Sequence, residues 1–169
     1  MKRLVKAAVS AVVLALIFGT AISARGGATI DTFPVSFVLT SATCSNLPAG
    51  TVITASGTEK SITTVTNRGG VETIENSSHA NGTAVDQNGR AYVFNYSNEF
   101  RGSFEGNGIF TATMNDSFTL AGQGPAHLSN GFTGTIVTDF FSFFTVPHVV
   151  RSHGDPLDFV TGDVHCDPL

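Results

Sequence analysis

Four Asn-Gly pairs, Asn81-Gly82, Asn88-Gly89, Asn107-Gly108 and Asn130-Gly131, punctuate the chain between residues 81 and 131. Both residues accept positive φ, as tight β-hairpins require, and the pair is the strongest local signal for a reversal between two strands. Gly57-Thr58 and Arg68-Gly69-Gly70 add two earlier breaks. The sequence after residue 24 shows no helical periodicity, and its Thr- and Ser-rich apolar segments alternate as strands do. The chain therefore reads as a run of hairpins.

Phe33, Val35, Phe37 and Leu39 alternate with Pro34, Ser36, Val38 and Thr40, so the large side chains share one face of a first strand. Residues 51–56, 61–66 and 71–76 follow as weaker strands. The clearest strand covers 91–97, with Tyr92, Phe94 and Tyr96 on one face. Phe110, Ala112 and Met114 share the next face, with Phe118 and Leu120 beyond. Phe132, Gly134, Ile136, Thr138 and Phe140 share another, with Gly134 marking a bend or bulge. Residues 158–162 offer a last short strand. Eight to ten antiparallel strands without a crossover helix fit a closed up-and-down β-barrel, with a two-sheet sandwich as the alternative. The barrel is preferred because closure removes exposed edges and sets the first and last strands side by side.

The cysteines agree with such a closure. Cys44 follows the first strand and Cys166 lies in the last five residues. Lys2, Arg3 and Lys6 precede an uncharged run from Ala7 to Phe18, and Ala21, Ser23 and Ala24 follow. This is the layout of a secretory signal peptide over residues 1–24, removed near Ala24. The apolar run is about twelve residues, against roughly 20 for a bilayer span, so no integral membrane segment is expected after removal. Residues 25–169 then form a single all-β domain that is secreted to an extracellular, oxidising compartment, where a Cys44–Cys166 disulfide persists. As a whole the chain resembles short exported bacterial proteins.

Without the leader, six basic residues face thirteen acidic ones, a net charge near −7. Such a surface repels phosphate backbones, which excludes nucleic acid as the expected partner. No Gly-x-Ser-x-Gly nucleophile turn is present. Of the carboxylate pairs, Glu72 and Glu75 point to opposite faces of a strand, and Glu99 with Glu105 and Asp155 with Asp158 fall in loops. His148, His153, Asp155, His165 and Asp167 cluster near the C-terminus, but their spacing matches no established ligand pattern, so neither metal nor cofactor is assigned.

The aromatic residues carry the functional expectation. Tyr92, Phe94, Tyr96, Phe110, Phe132 and Phe140 fall on faces expected to be buried. They fill a core, or they line a cup with two tyrosine hydroxyls as polar handles for a small apolar or aromatic ligand. Phe140, Phe141, Phe143 and Phe144 cannot all face one core, so some are expected under a loop, at the barrel mouth, or in an exposed patch that would mark a surface for a protein partner. The leading expectation is a secreted, non-enzymatic β-barrel binding module. The alternatives are a cell-surface or envelope interaction protein and a barrel-type cyclase or isomerase for a hydrophobic substrate. The last would show one ionisable group with a strongly shifted pKa, and Glu105 and Asp116 are its candidates.

Overall fold

A computed structural model describes residues 27–104, 108–139 and 148–154. Their secondary structure is all β. Seven strands, β1 (Ala28–Thr40), β2 (Val52–Arg68), β3 (Val71–Asp86), β4 (Ala91–Phe104), β5 (Ile109–Gly122), β6 (Leu128–Asp139) and β7 (His148–Gly154), form one antiparallel sheet in sequence order.

The strands are fewer and longer than expected. Gly57-Thr58 lies inside the 17-residue β2, and Asn81-Gly82 lies inside β3, directly paired with Gly57-Thr58. Asn130-Gly131 lies inside β6. The reversals occur elsewhere: Gly69 and Gly70, with φ of 62° and 83°, turn β2 into β3, and Gly89, with φ of 78°, turns β3 into β4. Gly108 also has positive φ, at the start of β5. Asn88-Gly89 therefore acts as a turn, and Asn81-Gly82 and Asn130-Gly131 are strand residues whose neighbours supply continuous ladder bonding.

The closed barrel is not formed. Among the described residues the ladder ends at β1 and β7, which do not pair, and the single sheet also replaces the alternative two-sheet sandwich. Pro34 fits this arrangement, since a strand residue without an N–H is tolerated at a sheet edge. The bend expected at Gly134 appears one step later, as a shift between Thr135 and Ile136 in the β6–β7 register. Residues 1–26, 105–107, 140–147 and 155–169 lie outside the described residues. With them lie the signal peptide, Phe140, Phe141, Phe143, Phe144, the strand at 158–162, and Cys166.

Curling buries the inner face of this sheet. In a flat sheet β1 would stand about 14 Å from β4 and about 19 Å from β5. Yet the rings of Phe37 and Phe94 are 4.9 Å apart, edge to face, and those of Phe37 and Phe118 are 6.1 Å apart. The intervening strands allow this because their inner face is built from Ala55 and Gly57 on β2 and Ala80, Gly82 and Ala84 on β3. Gly57 and Gly82 are cross-strand partners beneath Phe94: a Cβ on Gly57 would stand 2.8 Å from Phe94 Cζ, and one on Gly82 would stand 2.6 Å from Phe94 Cε1. Large residues from the flanking strands meet over a small-residue floor.

Two apolar clusters result, one toward each end of the strands. The base cluster gathers Phe37, Leu39, Ile53, Tyr92, Phe94, Phe118, Leu120 and Leu128, sealed by Cys44 and Leu47 from the β1–β2 loop and Ala126 from the β5–β6 loop. The second cluster holds Phe100, Phe110 and Ala112, with Ile74, Phe104 and Met114 against it.

Gly82→Ala should cost about 1–3 kcal/mol or more, since the added methyl meets backbone as well as the Phe94 ring. Gly131→Ala meets only Asp116 O at 3.8 Å and should stabilise by about 0.5–1 kcal/mol through lower chain entropy. Urea unfolding of the two variants beside wild type reads both signs.

Candidate functional site

Between the two clusters the inner face turns polar. Cross-strand register sets Ser61, Ser78, Asn98 and Asp116 in one row over β2 to β5, ending on Phe132 of β6. The next row toward the base holds Glu59, Ala80, Tyr96, Phe118 and Asn130. Toward the other end lie Thr63, Asn76, Phe100 and Met114. Period-2 alternation makes these side chains inward-facing, in line with Phe94 and Phe100 on the same strand.

The belt is hydrogen-bonded within itself. Asn76 Nδ2 donates to Ser61 Oγ and to Thr63 Oγ1, each at 2.8 Å. Ser78 Oγ lies 3.0 Å from Ser61 Oγ and 3.1 Å from Asn76 Oδ1. At the other side Tyr96 donates its hydroxyl to Asp116 Oδ1 at 3.2 Å, and Asn98 Nδ2 donates to the same oxygen. Asp116 is 5% exposed, and its Oδ2 accepts no hydrogen bond from the described residues. Asn130 Nδ2 is buried without a hydrogen-bond partner.

The electrostatics follow from burial. Desolvation pushes the Asp116 carboxyl above the usual carboxylate range, and the Asn98 and Tyr96 donors oppose it. Glu59 is also raised by desolvation, with Ser78 opposing as a hydrogen-bonding neighbour. Tyr96 is pushed far above its ordinary value by burial, then by the charges of Asp116 and Glu59, so its hydroxyl stays protonated and donates. Lys60, Arg68, Arg90 and Arg101 are exposed.

The expected ligand residues divide among three places. Tyr92 and Phe94 are buried in the base cluster, with Tyr96 partly buried against it. Phe110 sits in the second cluster, its ring 4.5 Å from that of Phe104. Phe132 is buried opposite Asp116, and Phe140 lies outside the described residues. Tyr92 is not a free handle: its hydroxyl donates to Asp86 Oδ2 at 3.3 Å. Burial acts to raise Asp86, but the backbone N–H groups of Arg90 and Asn88, the Tyr92 hydroxyl and the Arg90 charge together hold it below the ordinary value.

Asp116 is the one candidate acid whose side chain the structure places on the inner face; Glu105 lies outside the described residues. Glu59, Asn76, Ser78 and Asn98 escaped the sequence reading. Extending the alternation of Tyr92, Phe94 and Tyr96 by one step would have found Asn98, but the expected strand stopped at Ser97. Glu72, Glu75 and Glu99 are exposed. Among the described residues no group of three His, Cys, Asp or Glu is placed to hold a metal ion.

Two grooves, of about 280 and 430 Å³, open on the opposite face. His79, Asn95, Ser97 and Ser117 line the first, and Glu75, Glu99, Arg101 and Asn115 line part of the second. The Arg101–Glu75 ion pair there, at 3.2 Å, is exposed on both sides and contributes little to stability. The inner belt offers the more desolvated chemistry.

The two buried aspartates should give opposite pH slopes. Asp116 titrates higher folded than unfolded, so its contribution is most favourable below the unfolded carboxyl pKa and is lost as pH rises through the raised value. Asp116→Asn should therefore gain melting temperature over wild type at pH 7 and lose that gain by about pH 3. Asp86 titrates lower folded than unfolded, so its contribution is present above the unfolded pKa and lost as pH falls through the depressed value. Asp86→Asn should melt below wild type at pH 7, with the gap closing in acid. Melting curves from pH 3 to 8 check both. Comparison of the chain with protein-family models, with curated proteins and with solved structures finds no match.

Proposed function

We propose that residues 25–169 form a secreted, non-enzymatic binding module that holds a small, largely apolar molecule against the inner face of the curled sheet. The carrying observation is the polar belt around Asp116, set between two aromatic clusters. A face of this kind can grip an apolar body on either side and orient it through a few fixed polar groups, the usual construction of a small-molecule site. The close packing of Phe37, Phe94 and Phe118 favours the belt, rather than the base cluster, as the recognition element.

Export and the disulfide belong to the same reading. The leader is removed near Ala24, and Cys44, fully buried in the base cluster, pairs with Cys166. Closure of so long a loop stabilises by up to about 4–5 kcal/mol in chain-entropy terms.

A second reading is acid–base chemistry on a hydrophobic substrate by a cyclase or isomerase. It is favoured by one observation, a buried Asp116 with raised proton affinity whose Oδ2 accepts no hydrogen bond from the described residues.

Native mass spectrometry of the mature protein purified from culture medium tests the main reading. A surplus mass of a small molecule that is lost on denaturation, and reduced in Tyr96→Phe while the fold survives, supports binding. A bare mass in wild type counts against it. Recovery of the released molecule chemically rearranged after incubation with fresh protein would favour the catalytic reading.

A further inference from the structure

We propose that the molecule held at the inner belt is an organic cation, an amine or ammonium group on an aromatic or alicyclic body, with Asp116 and Glu59 as its counter-charges. This rests on the binding reading above and specifies its ligand.

The hydrogen-bond inventory leads there. The donors of Tyr96 and Asn98 converge on Asp116 Oδ1, and Asn76, Ser61, Thr63 and Ser78 bond one another. What remains open on the desolvated Asp116 side chain is Oδ2, an acceptor. Glu59, the other acid of the belt, lies across the inner face on β2, and its charge reaches the same Tyr96 hydroxyl as that of Asp116.

Two acids are an unusual load for such a face, because a desolvated carboxylate is costly unless a cation or several donors compensate it. Lys60, Arg68, Arg90 and Arg101 are exposed, and a cationic ligand would take that role. A metal ion fits less well, since among the described residues no third acid or histidine joins the two carboxyls and hard cations take six or more oxygens. Phe132, paired opposite Asp116, supplies aromatic surface, which suits a cation with an apolar body.

Three probes of matched size separate the possibilities: 2-phenylethylamine, 2-phenylethanol and 3-phenylpropanoate, titrated calorimetrically into the mature protein at pH 7.5. The amine should bind more than about tenfold tighter than the alcohol, the scale of one charge-assisted hydrogen bond, and the carboxylate weakest. Asp116→Asn should remove the preference for the amine over the alcohol. Glu59→Gln, half-buried and less entangled in hydrogen bonds, should reduce it even if Asp116→Asn fails to fold. Alcohol binding as tight as the amine in wild type overturns the cation assignment and leaves the binding module standing. A preference that survives both substitutions overturns the assigned residues. Failure of all three probes at millimolar concentration overturns both the cation and the binding module.

Discussion

The contact between Phe94 and the paired glycines Gly57 and Gly82 governs the rest of the molecule. A single antiparallel sheet has two faces and nothing on its own to cover either, so it must find a second layer or bend. Here the bend is available because the middle strands β2 and β3 carry Ala55, Gly57, Gly82 and Ala84 in line with Phe37, Tyr92 and Phe94 of the flanking strands. The rings of β1, β4 and β5 close over that floor, and the sheet becomes its own second layer near the base. The same device recurs in the other cluster, where a Cβ on Gly102 would run into the Phe110 ring.

Placing the aromatic residues toward the two ends leaves the polar belt between them, and the belt inherits its properties from that position. Strand alternation directs Asn98 and Asp116 inward, and neighbouring apolar rows keep water from solvating them fully. The raised proton affinities of Asp116 and Glu59 express that desolvation. A core built only for stability would gain by replacing such acids with apolar groups. Their presence beside a single open carboxylate oxygen ties the fold's geometry to the proposed recognition of a ligand.

Much of the fold was legible in residue pattern. The all-β class, the inward faces of 92, 94 and 96, of 110, 112 and 114, and of 37 and 39 follow from alternation alone, and the structure buries or half-buries each of them. Strand lengths were not legible. Asn-Gly codes for positive φ only as a local preference, and at Asn81 and Asn130 the ladder on both sides outweighs it. Reading those pairs as turns multiplied the strands, and the larger number suggested closure that β1 and β7 do not make. The floor of small residues was visible only as weak strands, because Gly and Ala signal little until their cross-strand partners are known. For the site, Asp116 was named from its aromatic neighbours. Glu59 and Ser78 were hidden because their relation to it runs across three strands and depends on register.

Proton–proton contacts in solution test the curled sheet most directly. The rings of Phe37 on β1 and Phe118 on β5 belong to strands with three others between them, yet their centroids lie 6.1 Å apart. Nuclear Overhauser spectroscopy on protein with specifically labelled phenylalanine should show ring-to-ring cross-peaks from Phe37 to both Phe94 and Phe118. A spectrum in which Phe37 touches only its β2 neighbours would describe a flat sheet, and the floor of small residues, the buried belt and the site built on it would all lose their basis.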